Sequence, residues 1–182
     1  MAAEGSGSPG ECTLRPARID DLDRLAEIDA ACFPVGIAYP RNYLRDLLCA
    51  PTAVTRVAML PTLTDDPTAG NPIAADAADN ANTTIVGFAV LEMRRRALTV
   101  VGELVTIDVL ASARRMGVGQ LLHASMERAV RYRNGRRIRL QVSVENDAAI
   151  RFYEKLGYRK RGRIPRYYLG KVDAWWMEKV WE

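Results

Sequence analysis

Two periodicities take turns along the chain. Runs rich in β-formers, or alternating between apolar and polar residues, occupy 12–18, 53–60, 83–93, 97–110, 137–144, 158–169 and 174–181, and each predicts a strand. Between them lie helical patterns. In 21–32, Leu22, Leu25, Ile28 and Cys32 fall at helical spacing behind Asp20, which is expected to cap the helix. Residues 41–49 predict a second, short helix, and the loop "FPVGIAYP" (33–40) joins the two. A third helix follows "RRMGVGQ", with Val118, Leu121, Leu122, Ser125 and Ala129 forming one stripe. His123, the only histidine, falls off that stripe and is expected to be exposed and uninvolved. A fourth helix, 146–157, starts at Asn/Asp and stops at Gly157. The order is a strand, two helices, three strands, a helix, a strand, a helix and two strands. It predicts a single α/β (α+β) domain over 11–182 with no internal repeat.

Composition narrows the class. The chain has 182 residues, 48% hydrophobic and 26% charged, enough for one domain with a full core. Its apolar runs fall short of a membrane span, so no membrane association is expected. The first ten residues, "MAAEGSGSPG", lack the basic start and apolar centre of a secretory signal. They are expected to be a flexible tail. Residues 61–82, rich in Pro, Ala, Asp and Asn, are expected to be a mobile insertion between paired strands. Cys12, Cys32 and Cys49 show no CxxC spacing, which argues against a disulfide framework or a metal site and for a reduced, cytoplasmic compartment. The net charge of +4 comes from clusters at 94–96, 131–137 and 158–168. Such clusters are either a solvated surface or a face for phosphates on nucleic acid, ribosome or nucleotide cofactor. No nucleic-acid module accompanies them, so no direct nucleic-acid specificity is expected.

Two stretches carry chemistry. In "RRMGVGQ", Arg114 and Arg115 precede Gly117 and Gly119 at the mouth of a helix. A helix N-terminus presents unpaired N–H groups and partial positive charge, and glycine lets a ligand approach that backbone. This is a phosphate site, or else a glycine-softened turn. It is neither a GxxxxGK[ST] loop nor a GxGxxG fingerprint. Downstream, "NDAAIRFYEKLGY" sets Asn146 at a strand end, where it would bond a ligand's amides. Tyr153 sits on the following helix, facing either a ligand or the core.

Together the two stretches resemble the GNAT superfamily of acetyl-CoA-dependent acetyltransferases. "RRMGVG" is similar to its [QR]-x-x-G-x-[GA] pyrophosphate loop, and "VENDAAIRFYEKLGY" to its N-x-x-A-x-x-x-Y-x-x-x-G-[FY] segment. The resemblance implies a splayed, mixed but mostly antiparallel sheet of about seven strands flanked by about four helices. It implies acetyl-CoA as cofactor, entering between strands that end near Val109–Leu110 and near Val144. The amides of Arg115, Met116, Gly117, Val118, Gly119 and Gln120 would hold the pyrophosphate, behind Arg114. Asn146 would line the same site, and Tyr153 would face the thioester sulfur.

The loop "FPVGIAYP" resembles the F-P-V-x-Y segment of the San family, the NatE-type N-terminal acetyltransferases, with two extra residues before the tyrosine. "PRYYL" resembles that family's tyrosine pair. The resemblance implies that Phe33, Pro34, Val35, Tyr39 and Val105 line a peptide pocket and that Tyr167 and Tyr168 close over it. It also implies a preference for Met followed by an apolar residue, and a ribosome-associated auxiliary subunit.

At the family's tyrosine and histidine positions this chain has Glu103 and Gln141. Glu103 lies eleven residues ahead of Arg114, where histone-type GNAT enzymes carry a glutamate base. Strand alternation puts Glu103 on one face with Val105, Ile107 and Val109, and Asp108 on the other as a weaker base candidate. Glu103 is expected to be a buried base with a raised pKa, working through a water that Gln141 orients, or else a solvated glutamate near the strand end. An α-amine, with a pKa of about 7.7–8.0 against about 10.4 for lysine, needs only a modest base. The expected activity is direct acetyl transfer to protein amino termini. The alternatives are a lysine or ribosomal-protein acetyltransferase and a non-catalytic acyl-CoA-binding subunit.

Overall fold

The computed structural model of the chain describes residues 12–62, 83–96 and 99–181. The expected tail at 1–10 and nearly all of the 61–82 insertion lie outside the described residues. Among the described residues, seven strands and four α-helices follow the predicted order: β1 (Thr13–Pro16), α1 (Leu22–Cys32), α2 (Arg41–Cys49), β2 (Ala53–Pro61), β3 (Thr83–Arg96), β4 (Thr99–Val109), α3 (Val118–Tyr132), β5 (Arg137–Ser143), α4 (Asp147–Lys155), β6 (Arg159–Tyr168) and β7 (Val172–Val180). They build one sheet in the order β1-β2-β3-β4-β5-β7-β6. Every neighbouring pair is antiparallel except β4 and β5. This is the mixed sheet the resemblance implied.

The sheet separates two cores. On one face, Leu122, Met126 and Val130 of α3 pack on Leu91, Leu104, Ile138 and Leu140. Gly102 makes that contact possible, since a Cβ there would meet Val130 at 2.5 Å. On the other face, Leu25, Ile28, Leu44 and Leu47 of α1 and α2 cover Val57, Phe88 and Val90. Each such fully buried aliphatic side chain contributes about 1.5–3 kcal/mol.

Three local expectations need correction. Asp21, not Asp20, closes the entry to α1. Its carboxylate accepts from the Arg18 backbone N–H at 2.7 Å and from Arg15 at 2.7 and 2.8 Å. In α3, Leu121 is exposed, and the buried stripe runs through Val118, Leu122, Ser125, Met126 and Val130. That rotation carries His123 inside. It is 1% exposed, and its Nε2 lies 3.0 Å from the Tyr158 hydroxyl. Tyr158 follows α4 and roofs this side of α3, a tertiary cover that helical spacing alone does not reveal.

Candidate active site

β4 and β5 are hydrogen-bonded neighbours only over Val101–Glu103 and Arg137–Arg139. Beyond those residues the strands diverge, β4 to Val109 and β5 to Ser143. Two cavities of about 750 and 670 Å³ open at the fork and share Cys32, Phe33, Ile107, Asn146, Ala149 and Tyr153 as walls.

The larger cavity runs along the start of α3. Gly117 caps this helix in the left-handed region at φ 82°, and no side chain caps its first turn. Arg115, two residues earlier, is also left-handed at φ 64°. The turn therefore presents the amides that a helix start leaves without intrahelical partners. A Cβ at Gly117 would meet nothing within 4 Å, while one at Gly119 would touch the Phe152 ring at 3.4 Å. Arg114, Arg115, Gly117, Gly119 and Gln120 line this cavity. Met116 is exposed and Val118 is buried in the core, so neither adds a side chain to the wall, and Leu110 packs against the α1–α2 core instead. Arg114 folds back, its Nε donating to the Val109 carbonyl at 2.9 Å. Asn146 is not free for a ligand's amides, because its side-chain oxygen caps α4 by accepting from Ala149 N–H at 3.0 Å. An open, uncapped, arginine-flanked turn leading to Tyr153 fits a pyrophosphate with an acyl-pantetheine arm extended along the fork.

The smaller cavity lies across the fork. Phe33, Pro34, Ile37 and Tyr39 wall one side, Tyr167, Tyr168 and Leu169 the other, and Val105 and Gln141 form the floor. Val35 is not part of it: the side chain is 99% exposed. The two extra residues of the loop form a turn in which the Ile37 and Ala38 amides donate to the Pro34 carbonyl and Gly36 is left-handed at φ 89°. Val35 sits at the tip of that turn, and Ile37 takes the inward place. Tyr39 does reach the site. Its hydroxyl donates to the Val105 carbonyl at 3.4 Å, and its ring stacks on Tyr43. The Tyr168 hydroxyl donates to the Gln141 carbonyl at 3.3 Å. Arg166 and Leu169 have positive φ, and Asp173 accepts from the Arg166 amide at 2.7 Å, which turns the tyrosine pair toward the fork.

Glu103 differs from its expectation. It is not buried: 26% of the side chain is exposed, and Arg94 Nε lies 2.8 Å from Oε2. Gln141 Nε2 donates to Oε1 at 3.5 Å. The carboxylate thus stands behind Gln141 at the closed end of the fork, as one side of an ion pair. Tyr153 lines both cavities, and burial pushes its phenol well above the usual range, so it stays protonated.

The expected alternation also breaks. Leu91 pairs with Leu104 and Val90 with Thr106, so Val105 is an unpaired bulge residue. Val105 packs with the α1–α2 core, but Ile107 and Val109 pack with the α3 core, on the opposite face. Asp108 therefore shares a face with Glu103, is 1% exposed and lines the larger cavity. Thr106 Oγ1 donates to it at 2.7 Å. Burial above all, and then neighbouring Asp29, push its carboxyl up to about 8, against the pull of Thr106 and Arg114. Asp29 was not singled out from the sequence. An aspartate inside the apolar stripe of α1, next to Ile28, was the available signal.

Comparison with known proteins agrees with this geometry. Residues 23–158 match the Acetyltransferase (GNAT) family. An N-alpha-acetyltransferase of Saccharolobus solfataricus is 29% identical over 174 residues, spanning 92% of each chain. An N-alpha-acetyltransferase of Sulfurisphaera tokodaii is 39% identical over 77 residues, 42% of this chain and only 46% of the relative's own length. The Arabidopsis thaliana Naa50 structure, in complex with the bisubstrate analogue CoA-Ac-MVNAL, shares the fold. Its TM-score is 0.71 at 23% identity, over 93% of this chain and 99% of that one. With the family match covering both chemical stretches and most of the sheet, the chain belongs to the GNAT family of acetyltransferases.

Proposed function

We propose that this GNAT enzyme transfers acetyl from acetyl-CoA to the α-amine of protein amino termini, with a preference for apolar first residues such as Met. The observation that carries the reading is the roofed smaller cavity. Tyr167, Tyr168 and Leu169 face the 33–39 loop across it, leaving a groove that meets the larger cavity at Tyr153. Such a groove accepts a chain end with its backbone, and Phe33, Ile37, Tyr39 and Val105 suit an apolar first side chain.

The bound cofactor supplies an activated acetyl thioester, held by the Gly117–Gln120 turn. The residues of the chain do the rest. The groove brings the amine to the fork, Gln141 orients a water there, and Glu103 accepts the amine's proton through that water. Tyr153, kept protonated by burial, donates toward the departing sulfur. An α-amine near its pKa at neutral pH asks little of the base, which suits a carboxylate tied to Arg94. A cytoplasmic, ribosome-associated setting with an auxiliary subunit belongs to the same proposal and rests on the basic segments at 131–137 and 158–168.

The test is acetyl-CoA consumption with short peptides that differ in their first two residues, each with a free or a blocked amino terminus. Turnover confined to free termini, strongest with Met-Leu-like starts, is expected. Equal turnover on blocked, lysine-containing peptides would sink the assignment.

A further inference from the structure

Two carboxyl groups from different elements meet in the wall of the site. Asp29, near the end of α1, is 0% exposed and Asp108, on β4, is 1% exposed. Each has one oxygen satisfied by an N–H or O–H donor. The Tyr39 backbone N–H donates to Asp29 Oδ2 at 2.6 Å, and Thr106 Oγ1 donates to Asp108 Oδ1 at 2.7 Å. The remaining oxygens, Asp29 Oδ1 and Asp108 Oδ2, are buried without any other donor among the described residues. The two side chains lie close enough for each to bear on the other's ionisation. Two ionised carboxylates there would face each other with no donor between them. One proton between them satisfies both orphaned oxygens at once.

The surroundings favour a single negative charge on the pair. Cys32 from α1, Tyr39 from the loop and Tyr153 from α4 are neutral neighbours, and Arg114 is a nearby cation. Burial raises both carboxyls, so the pair holds one proton in common.

We propose that Asp29 and Asp108 are a positioning pair that fastens the Phe33–Tyr39 loop to β4 through one shared proton and so holds the peptide wall closed. The link is direct: β4 carries Asp108, Asp108 holds Asp29, and Asp29 holds the amide of Tyr39 where the loop turns into α2. Losing the shared proton sets two buried charges against each other and frees the wall. This inference rests on the smaller cavity being the peptide site.

The test uses the full chain and its Asp108→Asn and Asp108→Ala variants. Peptide KM is measured from pH 6.5 to 9.5 at saturating acetyl-CoA, and the melting temperature over pH 4 to 9 without substrate. Asparagine accepts from Thr106 and donates to Asp29 at every pH, whereas alanine does neither. In the unaltered chain KM should climb by about tenfold per pH unit above the second ionisation of the pair. The climb should vanish in Asp108→Asn, and KM should be high at every pH in Asp108→Ala. Asp108→Asn keeping the alkaline climb would overturn the proposal. So would a loss of kcat at pH 7 with KM unmoved, since Asp108 would then act on the reacting atoms. The melting comparison stands apart from any substrate. Because the folded-state pKa of Asp108 is raised, its stabilising contribution should fade between about pH 4 and 8 in the unaltered chain and not in Asp108→Asn. Parallel melting profiles would remove the shared proton even if no peptide is turned over. A peptide panel without turnover, combined with diverging profiles, would remove only the substrate assignment.

Discussion

Gln141 Nε2 donates to Glu103 Oε1 at 3.5 Å, joining the two strands just where they stop pairing. The amide comes from β5 and the carboxylate from β4, so this contact marks the closed end of the fork. In the proposed mechanism, a proton leaving an amine in the groove exits through this pair. Glu103→Gln should therefore lower kcat by about 10²-fold, with acetyl-CoA binding unaffected. Steady-state kinetics beside calorimetric cofactor titration separates the two effects. Loss of binding together with rate would make Glu103 a structural residue.

Gly117 is left-handed and faces open space. Gly117→Ala should cost about 1 kcal/mol of stability through its φ alone. Gly117→Leu should also cut acetyl-CoA affinity by at least about tenfold, because the side chain would fill the approach to the helix amides. Melting curves and cofactor titration check both. Unchanged affinity in the leucine variant would move the pyrophosphate elsewhere.

His123 is held neutral. Burial depresses its imidazole to about 4, below the ordinary value of 6.5. A lowered folded-state pKa means the contribution is complete above about pH 6.5 and is lost as pH falls toward 4, where the unfolded chain takes up the proton first. His123→Ala leaves the Tyr158 hydroxyl without its partner and should cost about 1–3 kcal/mol at pH 7.5. The deficit should shrink as pH falls below 6.5. Denaturant titrations at pH 7.5 and 5 measure it, and a constant deficit would contradict a neutral, buried histidine.

Glu178 of β7 is 8% exposed at its side chain and gathers Arg137 at 3.2 Å, Arg139 at 3.0 Å and Arg161 at 3.4 Å. Glu178 is buried, but Arg137 and Arg161 are 39% and 44% exposed, so removing the carboxylate leaves mainly Arg139 without its partner. Glu178→Ala should destabilise the fold by about 1 kcal/mol, with a smaller effect for Glu178→Gln. Since β7 pairs with β5 over Ala174–Val180, the loss should appear in global unfolding rather than in cofactor affinity.

The order of elements, the open arginine-flanked turn at Gly117 and the inward Tyr153 were legible in the sequence, because each follows from local rules. Period and turn residues define strands and helices over a few positions, and the Gly117 turn is specified by the residues that compose it. What depended on contacts between distant segments was not legible. The bulge at Val105 arises from how β4 pairs with β3, and it moves Asp108 onto the face that strand alternation had assigned away from Glu103. His123 is inside because Tyr158, 35 residues later, covers it. Glu103 is an ion-paired carboxylate because Arg94 returns beside it across the β3–β4 hairpin. Asp29 matters because Asp108 reaches it from another element. The sequence by itself determined which segments fold and where the open, glycine-flanked helix start lies. The tertiary structure decided which charges are buried together, because burial and pairing belong to the space between elements.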